Sequence, residues 1–138
     1  MIFEIITPQK IVFQEEVDEI TAPTATGEIT ILPSHVGLLT KIAPGELTIK
    51  KGAQARFFAV TGGFLEVEKD KITILADYAV RSEEIEVAKA IEAQKQAERL
   101  MKDAKEKASE KDFALAESEL RRAILELKVA HKRRPLKL

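Results

Sequence analysis

All six glycines of this 138-residue chain lie at or before Gly63, and this segregation constrains the fold more than any other feature. Through that part, and a short way beyond it, short β-branched and aromatic runs alternate with turn-forming residues, as in Glu28–Leu32, Phe57–Val60 and Ile72–Leu75. This spacing is typical of an antiparallel sandwich or barrel rather than a parallel sheet with crossover helices. Between two runs, Thr61–Gly63 offers the positive φ angles of a tight β turn or room for a neighbouring backbone.

From about Ser82 the composition changes to Ala, Glu and Lys. Apolar residues recur there at three- and four-residue steps, which predicts two amphipathic helices over residues 84–107 and 113–131. Ser109 is followed three positions later by the acidic Asp112, the spacing of a capping box, so a turn and cap are expected between the helices.

The predicted fold class is therefore α+β: an N-terminal antiparallel β-sandwich followed by a C-terminal antiparallel two-helix hairpin. We place the sandwich domain at residues 1–84 and the helical domain, with a basic C-terminal tail, at residues 85–138.

The predicted apolar stripe of the first helix consists mostly of alanine: Ala90, Ala93, Ala97, Leu100, Met101, Ala104 and Ala108. The stripe of the second helix contains Phe113, Ala116, Leu120, Ile124 and Leu127. A buried methyl group contributes about 0.8 kcal/mol and a buried Leu or Ile roughly 1.5 to 3, so an alanine seam holds loosely. Two alternatives stay open, a permanently packed hairpin and one that opens or docks elsewhere.

Charge and composition exclude several function classes. With 22 Lys and Arg against 23 Asp and Glu, the formal charge is -1, so the chain as a whole presents no one-sided field to nucleic acid or membrane. It has no cysteine, and its two histidines, His35 and His131, have no acidic ligand cluster around them. A phosphate-binding glycine loop and a nucleophile elbow are both missing, so we expect no catalytic residues and no metal.

Two blocks of the sandwich segment carry a family resemblance. Residues 27–40 read GEITILPSHVGLLT and are followed by Pro44-Gly45; residues 60–67 read VTGGFLEV and are followed by ITILAD at residues 72–77. These blocks resemble those of epsilon subunits of rotary F-type ATP synthases, and with the predicted hairpin the resemblance spans essentially the whole chain. It implies a non-catalytic central-stalk rotor subunit of a proton- or sodium-driven ATP synthase, without an active site of its own or a required cofactor.

The resemblance also implies partners, the gamma subunit and the membrane ring of c subunits, at one end of the sandwich. The residues that match this contact region are Glu28, Pro33, His35, Leu38 and Leu39. Because Pro33 and Pro44-Gly45 frame residues 34–43, we expect a loop there whose apolar side chains form a partner surface or lie tucked under the sandwich.

Some bacterial epsilon subunits resemble ATP sensors, with an I/L-D-x-x-R-A motif early in the first helix and arginines on the second. The matching residues here are Ile85, Glu86, Lys89, Ala90 and Arg122. Glu86 and Lys89 replace the Asp and Arg of that pattern, and a lysine lacks the bidentate fork of an arginine. The position one turn after Arg122 is the acidic Glu126. ATP as a weak regulatory ligand and an ordinary helix start with an intrahelical ion pair are the two interpretations.

The C-terminal end is locally basic, with Lys128, Lys132, Arg133, Arg134 and Lys137. Such residues also complement the dipole at a helix C-terminus, so a solvated tail is one reading. The resemblance implies another, an extended second helix that contacts the alpha and beta subunits in an inhibited state and blocks hydrolysis. The residues predicted to make the inhibitory contacts are Arg121, Arg122, Lys128 and Arg133.

No signal peptide, presequence or membrane span is expected. The family resemblance implies a peripheral location on the cytoplasmic face of a bacterial plasma membrane, or on the thylakoid if the source is a plastid. The alternatives from other classes are a free nucleotide-sensing module and a helical adaptor or nucleic-acid binder that uses the basic tail. The resemblance disfavours both, and no nucleic-acid partner is expected.

Overall fold

A computed structural model of the chain describes residues 1–133. The chain divides into two compact units, Met1–Ser82 and a second unit that begins at Glu83.

The first unit is built from ten β-strands. They are β1 (Ile2–Ile6), β2 (Ile11–Glu16), β3 (Glu19–Thr24), β4 (Gly27–Ile31), β5 (Leu38–Ile42), β6 (Gly45–Lys51), β7 (Gln54–Val60), β8 (Gly63–Glu68), β9 (Lys71–Ala76) and β10 (Ala79–Arg81). Nine of them follow one hydrogen-bonded path, in the order β10-β7-β6-β3-β5-β8-β9-β1-β2, and β4 pairs with β3 beside this path.

Aromatic rings show that this path folds back on itself. Phe13 lies on β2, at one end of the path, and Phe58 lies on β7, near the other end, yet their ring centroids are 5.5 Å apart. Arg56 on β7 also donates to Glu15 on β2 at 2.8 Å. Strands so far apart along the path can meet in this way only if two layers face each other around one core. The predicted N-terminal sandwich is confirmed.

One strand pair departs from the predicted antiparallel arrangement. β1 runs parallel to β9, with Ile2 opposite Lys71 and Ile6 opposite Leu75. Parallel neighbours need a long connection, and here that connection is the rest of the sandwich. The first strand therefore takes its place only when the ninth is present.

Gly62, between β7 and β8, and Gly63, the first residue of β8, have φ angles of 137° and 142°. The two strands are not paired with each other, so the predicted tight β turn is instead a connection between non-adjacent strands. Gly63 also provides room for a neighbouring backbone, because a Cβ atom there would lie 2.0 Å from the carbonyl oxygen of Leu75.

A 3₁₀ turn, Ser82–Glu84, includes the last residue of the first unit and the first two residues of the second. Helices α1 (Val87–Glu106) and α2 (Glu110–Arg133) follow it. The predicted two-helix hairpin is confirmed, although α1 starts three residues later and α2 three residues earlier than expected. Ser109 caps α2: its Oγ accepts from the Asp112 N–H at 3.3 Å, as the capping-box spacing predicts.

A Schellman-type turn ends α1 although the chain has no glycine there. The Ser109 N–H donates to the Ala104 oxygen at 2.9 Å, and the Ala108 N–H donates to the Lys105 oxygen at 3.2 Å. Ala108 adopts a positive φ of 55°, which glycine would adopt at lower cost.

Both helices present alanine where they pack along each other. The alanines that are buried recur every seven residues: Ala90, Ala97 and Ala104 on α1, and Ala116, Ala123 and Ala130 on α2. The predicted stripe of α2 is wrong in this respect, because Ile124 is 46% exposed and Leu120 and Leu127 are only half-buried. Alanine facing alanine allows close helix approach, and the larger apolar side chains stay available for other contacts.

Candidate functional site

The segment between β4 and β5, together with the start of β5, carries three exposed large apolar side chains. Leu32 is 53% exposed, Val36 77% and Leu39 71%; we call these three residues the loop patch. The predicted loop over residues 34–43 is too long, because Leu38 and Leu39 belong to β5 and pair with β8. Alternation along that strand turns Leu39 outward and leaves Leu38 half-buried against the core.

The other residues predicted for this surface lie around the loop patch. Glu28 is exposed on β4, and Pro33 is exposed two residues after the end of that strand. His35 is partly buried, and its Nδ1 lies 2.7 Å from the carbonyl oxygen of Val36, a contact that fixes the ring within the loop. The structure therefore brings the predicted residues onto one stretch of β4, β5 and their connection.

A second exposed apolar group was not predicted from the sequence. Phe64 on β8 is opposite Leu75 on β9, Leu75 is opposite Ile6 on β1, and Ile6 is opposite Ile11 on β2. We call these four residues the outer row. Phe64, Leu75 and Ile11 are each more than half exposed. Only strand register reveals this row, because its members are far apart in sequence.

The buried carboxylate of Glu4 lies next to the outer row. Its oxygens are 3.3 Å from Lys71 Nζ, and they accept from Thr73 Oγ1 at 3.3 Å and from Gln14 Nε2 at 3.4 Å. These partners satisfy the carboxylate within the sheet surface, which gives it a structural role.

The residues matched to a nucleotide motif are largely engaged with one another or buried. Lys89 Nζ lies 2.8 Å from Glu86, and this hydrogen bond and charge raise the pKa of Lys89 above its ordinary 10.5. Ile85 and Ala90 are buried, Ala90 within the alanine seam. Arg122 donates to Glu126 at 3.1 Å. The two acidic departures from the motif thus hold the two cations that would contact phosphate.

The residues predicted for inhibitory contacts lie on α2. Arg121 pairs with Glu117 and Arg122 with Glu126, both one helical turn apart. Lys128 is exposed, and Arg133 is in the last turn, which also contains His131 and Lys132. An ion pair one turn apart on a helix is worth roughly 0.3–0.5 kcal/mol, so a partner could displace it at small cost. The predicted basic residues Arg134 and Lys137 lie outside the described residues.

Within residues 1–133, no group of three or more His, Cys, Asp or Glu side chains is arranged to hold a metal ion. Across the same residues, none of the helices combines the length and apolar character that a membrane crossing requires.

Comparison with known proteins gives matches along nearly the whole chain. The family description "ATP synthase, Delta/Epsilon chain, beta-sandwich domain" matches residues 1–82, and "ATP synthase, Delta/Epsilon chain, long alpha-helix domain" matches residues 83–131. The ATP synthase epsilon chain of Dehalococcoides mccartyi is 47% identical over 95% of this chain and 92% of its own length. That of Herpetosiphon aurantiacus is 45% identical over 95% and 94%.

A solved structure agrees with the sequence relatives. A chain in the cryo-EM structure of the Euglena gracilis mitochondrial ATP synthase, OSCP/F1/c-ring, aligns with a TM-score of 0.75 and 26% identity over 94% of this chain and 80% of that one. The prediction of an epsilon subunit, and with it of a non-catalytic stalk subunit, is confirmed by these relatives. The chain therefore belongs to the ATP synthase delta/epsilon chain family.

Proposed function

We propose that this chain is a rotor subunit that links the gamma subunit to the c ring through its sandwich and restrains ATP hydrolysis through its C-terminal helices. The loop patch carries the first part of this proposal, because Leu32, Val36 and Leu39 leave 53 to 77% of their surface exposed. Full burial of such side chains is worth roughly 1.5–3 kcal/mol each, so covering the three would contribute several kcal/mol to assembly.

An assembly experiment tests this anchor. Leu39→Asp and His35→Asp should each weaken binding of the full chain to purified gamma, because they place a charge in a surface that must lose water. Leu115→Asp is the matched control, since Leu115 is 58% exposed and belongs to α2 of the second unit. Circular dichroism checks that all variants keep their fold. Unchanged gamma affinity in both loop-patch variants would remove this surface from the interface.

The second part of the proposal concerns the helices. The alanine seam gives little cohesion per residue, and Arg121 and Arg122 on α2 each form an ion pair with a glutamate one turn away on the same helix. We propose that α2 exchanges these contacts for an acidic surface of the alpha and beta subunits. Inhibition of this kind requires no active site in the chain itself.

Deleting residues after 84 should raise ATP hydrolysis by the assembled enzyme. Replacing Arg121, Arg122, Lys128 and Arg133 together by glutamine should reproduce part of that rise, and the difference from the unmodified enzyme should shrink as salt increases. The control is a glutamine substitution set on α1, at Lys95, Arg99, Lys102 and Lys105, which removes the same charge from the other helix. Hydrolysis that responds to neither the deletion nor the α2 set would leave the hairpin as a static appendage.

ATP is proposed as a weak regulatory ligand at most. Its phosphates would compete with Glu86 for Lys89 and with Glu126 for Arg122. Calorimetry on the full chain should show weak heats, a gain in affinity for Lys89→Arg with Glu126→Arg, and a loss of that gain on adding Arg122→Ala. Tight binding that is insensitive to Arg122→Ala would refute both the expected weakness and the site. The proposed location is peripheral, on the cytoplasmic face of the plasma membrane, or on the thylakoid in a plastid.

A further inference from the structure

A cleft opens between the two helices near the turn of the hairpin. Its volume is about 690 Å³, and its apolar lining comes from both helices, with Met101 and Ala104 on α1 and Phe113 on α2. Met101 and Phe113 are half-buried, and Ala104 belongs to the alanine seam. Clefts of this size that combine apolar side chains with a few polar groups are typical of small-molecule sites. We call this cleft between Met101 and Phe113 the hairpin cleft.

The charged residues of the hairpin cleft are mainly cations. Lys102 and Lys105 line it from α1, and Glu110 lines it from the first position of α2. Both lysines are exposed, and among residues 1–133 neither forms an ion pair. The cleft therefore places two unpaired positive charges beside an apolar floor, a combination that is complementary to an amphipathic anion.

A second cleft between the same helices shows that this combination is not a general property of the hairpin. It also reaches Ala104, but its volume is about 260 Å³, and its charged lining residues are mainly acidic: Asp103, Lys107, Asp112 and Glu119. Lys107 is paired there with Asp103 at 3.1 Å. Because this smaller cleft would repel an anion, the two clefts of one helix pair differ in the charge they accept.

The apolar lining continues along α2 beyond the hairpin cleft. Three half-buried apolar residues recur there every seven residues: Phe113, Leu120 and Leu127. The residue just before each of them is acidic. Residues seven apart lie on nearly the same side of a helix, about 10.5 Å apart along its axis. One acyl chain spans half of a hydrocarbon core that is about 30 Å thick. An acyl chain that begins at Phe113 therefore reaches past Leu120.

Backbone strain coincides with the hairpin cleft. Ala108 lines the cleft, and its positive φ of 55° is a conformation that glycine adopts at lower cost. Glycine at this position would relieve the strain but would also remove a methyl group from the cleft. The stability of the hairpin and the affinity for a ligand should therefore respond in opposite directions to Ala108→Gly.

We propose that the hairpin cleft binds the anion of a free long-chain fatty acid. The carboxylate contacts Lys102 and Lys105, and the acyl chain lies against Met101 and Phe113 and continues toward Leu120. Because these contacts come from both helices, the ligand stabilises the packed hairpin relative to any state in which α1 and α2 have separated. This site stands on the geometry of the helix pair alone and does not depend on gamma, the c ring or the restraint of hydrolysis.

The two methionines of the chain provide a direct probe. Met101 lines the cleft and Met1 belongs to the sandwich unit, so methionine labelled with ¹³C at its methyl group gives one NMR signal at the site and one internal reference. The full chain is titrated with sodium laurate below the concentration at which laurate forms micelles. The Met101 signal should shift and saturate with a Kd on the order of 0.1 mM, as for one acyl chain on a bilayer, and the Met1 signal should not move.

Neighbouring substitutions on α1 separate the hairpin cleft from the rest of the helix. Met101→Glu should weaken laurate binding about tenfold, because it places a like charge on the apolar floor and removes apolar contact. Leu100→Glu makes the same charge change one residue away, in the other cleft, and should leave the affinity unchanged. Isothermal titration calorimetry measures both variants, and helical circular dichroism checks that each retains the hairpin.

Exposed cations test the site without disturbing the apolar packing. Lys102→Gln together with Lys105→Gln should weaken laurate binding about fivefold and reduce its dependence on salt. Lys95→Gln together with Arg99→Gln is the matched control, since it removes the same charge from exposed positions of α1 that do not line the cleft. Ala108→Gly should weaken binding by up to about fourfold, the contribution of one methyl group.

Several results would overturn the proposal. Met101 and Met1 signals that shift together, or an affinity that the paired lysine substitutions leave unchanged, would mean unspecific adsorption of laurate. Equal affinity for dodecylamine, which has the same chain length and the opposite charge, would exclude a site that selects anions. A Met101 signal that responds to phosphatidylglycerol vesicles but not to laurate would identify a membrane surface as the occupant.

Discussion

Replacing Gly63 by alanine should unfold the sandwich, whereas the same change at Gly62 should only weaken it. Both residues have a positive φ, 142° and 137°, so both variants incur a similar backbone strain, on the order of 1–3 kcal/mol. They differ in surroundings. A Cβ at Gly63 would lie 2.0 Å from the Leu75 oxygen and 2.8 Å from the Ala76 Cα, whereas the nearest atom at Gly62 is 3.7 Å away.

The atoms that Gly63 approaches are backbone atoms of β9, so no side-chain rotation relieves the clash. Strands β8 and β9 would have to separate around the Gly63–Ala76 pair, and losing two neighbouring ladder hydrogen bonds would cost about 1–3 kcal/mol in addition to the φ strain. The total is roughly 2–6 kcal/mol with packing losses still to add, and its upper end reaches the stability of a marginal domain, since ordinary domains have about 5–15 kcal/mol.

Denaturant unfolding of the full chain measures this difference. Tyr78 is the single tyrosine, the chain has no tryptophan, and Tyr78 belongs to the first unit, so tyrosine fluorescence reports on the sandwich and not on the helices. We expect Gly63→Ala to be unfolded or to have a much lower midpoint than Gly62→Ala. Equal midpoints for the two variants would refute the clash with the backbone of β9 and would leave φ strain as the only cause of destabilisation.

Three further predictions concern the helical unit. Ala108→Gly should raise the stability of the hairpin by about 0.5–1 kcal/mol by relieving the positive φ, measured by helical circular dichroism in denaturant. Ala114→Gly, inside α2, should lower it by a similar amount, and a loss in both variants would contradict strain at Ala108. Ser109→Ala should lower the free energy of unfolding of the hairpin by about 1 kcal/mol because it removes the α2 cap, whereas Ser109→Asp should keep most of that stability. Equal losses would exclude a capping role. Glu86→Gln should return the pKa of Lys89 toward 10.5 in an NMR titration, and an unchanged pKa would exclude the pair as its cause. Because that pKa is raised, any stabilisation by the pair is present below pH 10.5 and lost as the pH rises through the shifted value.

Local patterns predicted the elements that depend on neighbouring residues. Alternation along β9 and the helical spacing after Ser82 are both short-range signals, and both elements form where they were expected. The strand β5 was missed because the prolines on either side, at Pro33 and Pro44, suggested a loop, although pairing with β8 makes residues 38–42 extended. Pairing between distant strands therefore outweighs the turn preference of the nearby prolines.

The alanine seam shows a different limit. Ala116, Ala123 and Ala130 recur every seven residues in the sequence, but the larger Leu120 and Ile124 suggested a different packed face. Which face of α2 is buried depends on what α1 offers, and an alanine ridge on α1 fits most closely against a second alanine ridge. The choice is a property of the pair and cannot be read from either helix alone.

The candidate site also has one part that local sequence patterns indicate and one part that only long-range strand pairing brings together. Of the loop patch, Leu39 was among the residues predicted for a partner surface, because that prediction came from residues close together in the chain, and its role stays a prediction. The outer row needed the register of four strands, since Ile6 and Ile11 meet Leu75 and Phe64 only across the parallel β1–β9 pair. The role of the nucleotide-motif residues stays a prediction.

The parallel pair of β1 and β9 also has a consequence for how the chain is made. β1 emerges first from the ribosome, but its neighbour on one side is β9, and β2 pairs only with β1. The hairpin of β1 and β2 therefore waits without its neighbour until residues 71–76 have been synthesised, and an isolated two-stranded hairpin is at best marginally stable in water. Such non-local pairing slows folding and leaves apolar strands exposed meanwhile. The nascent sandwich thus closes last at the strand that was translated first.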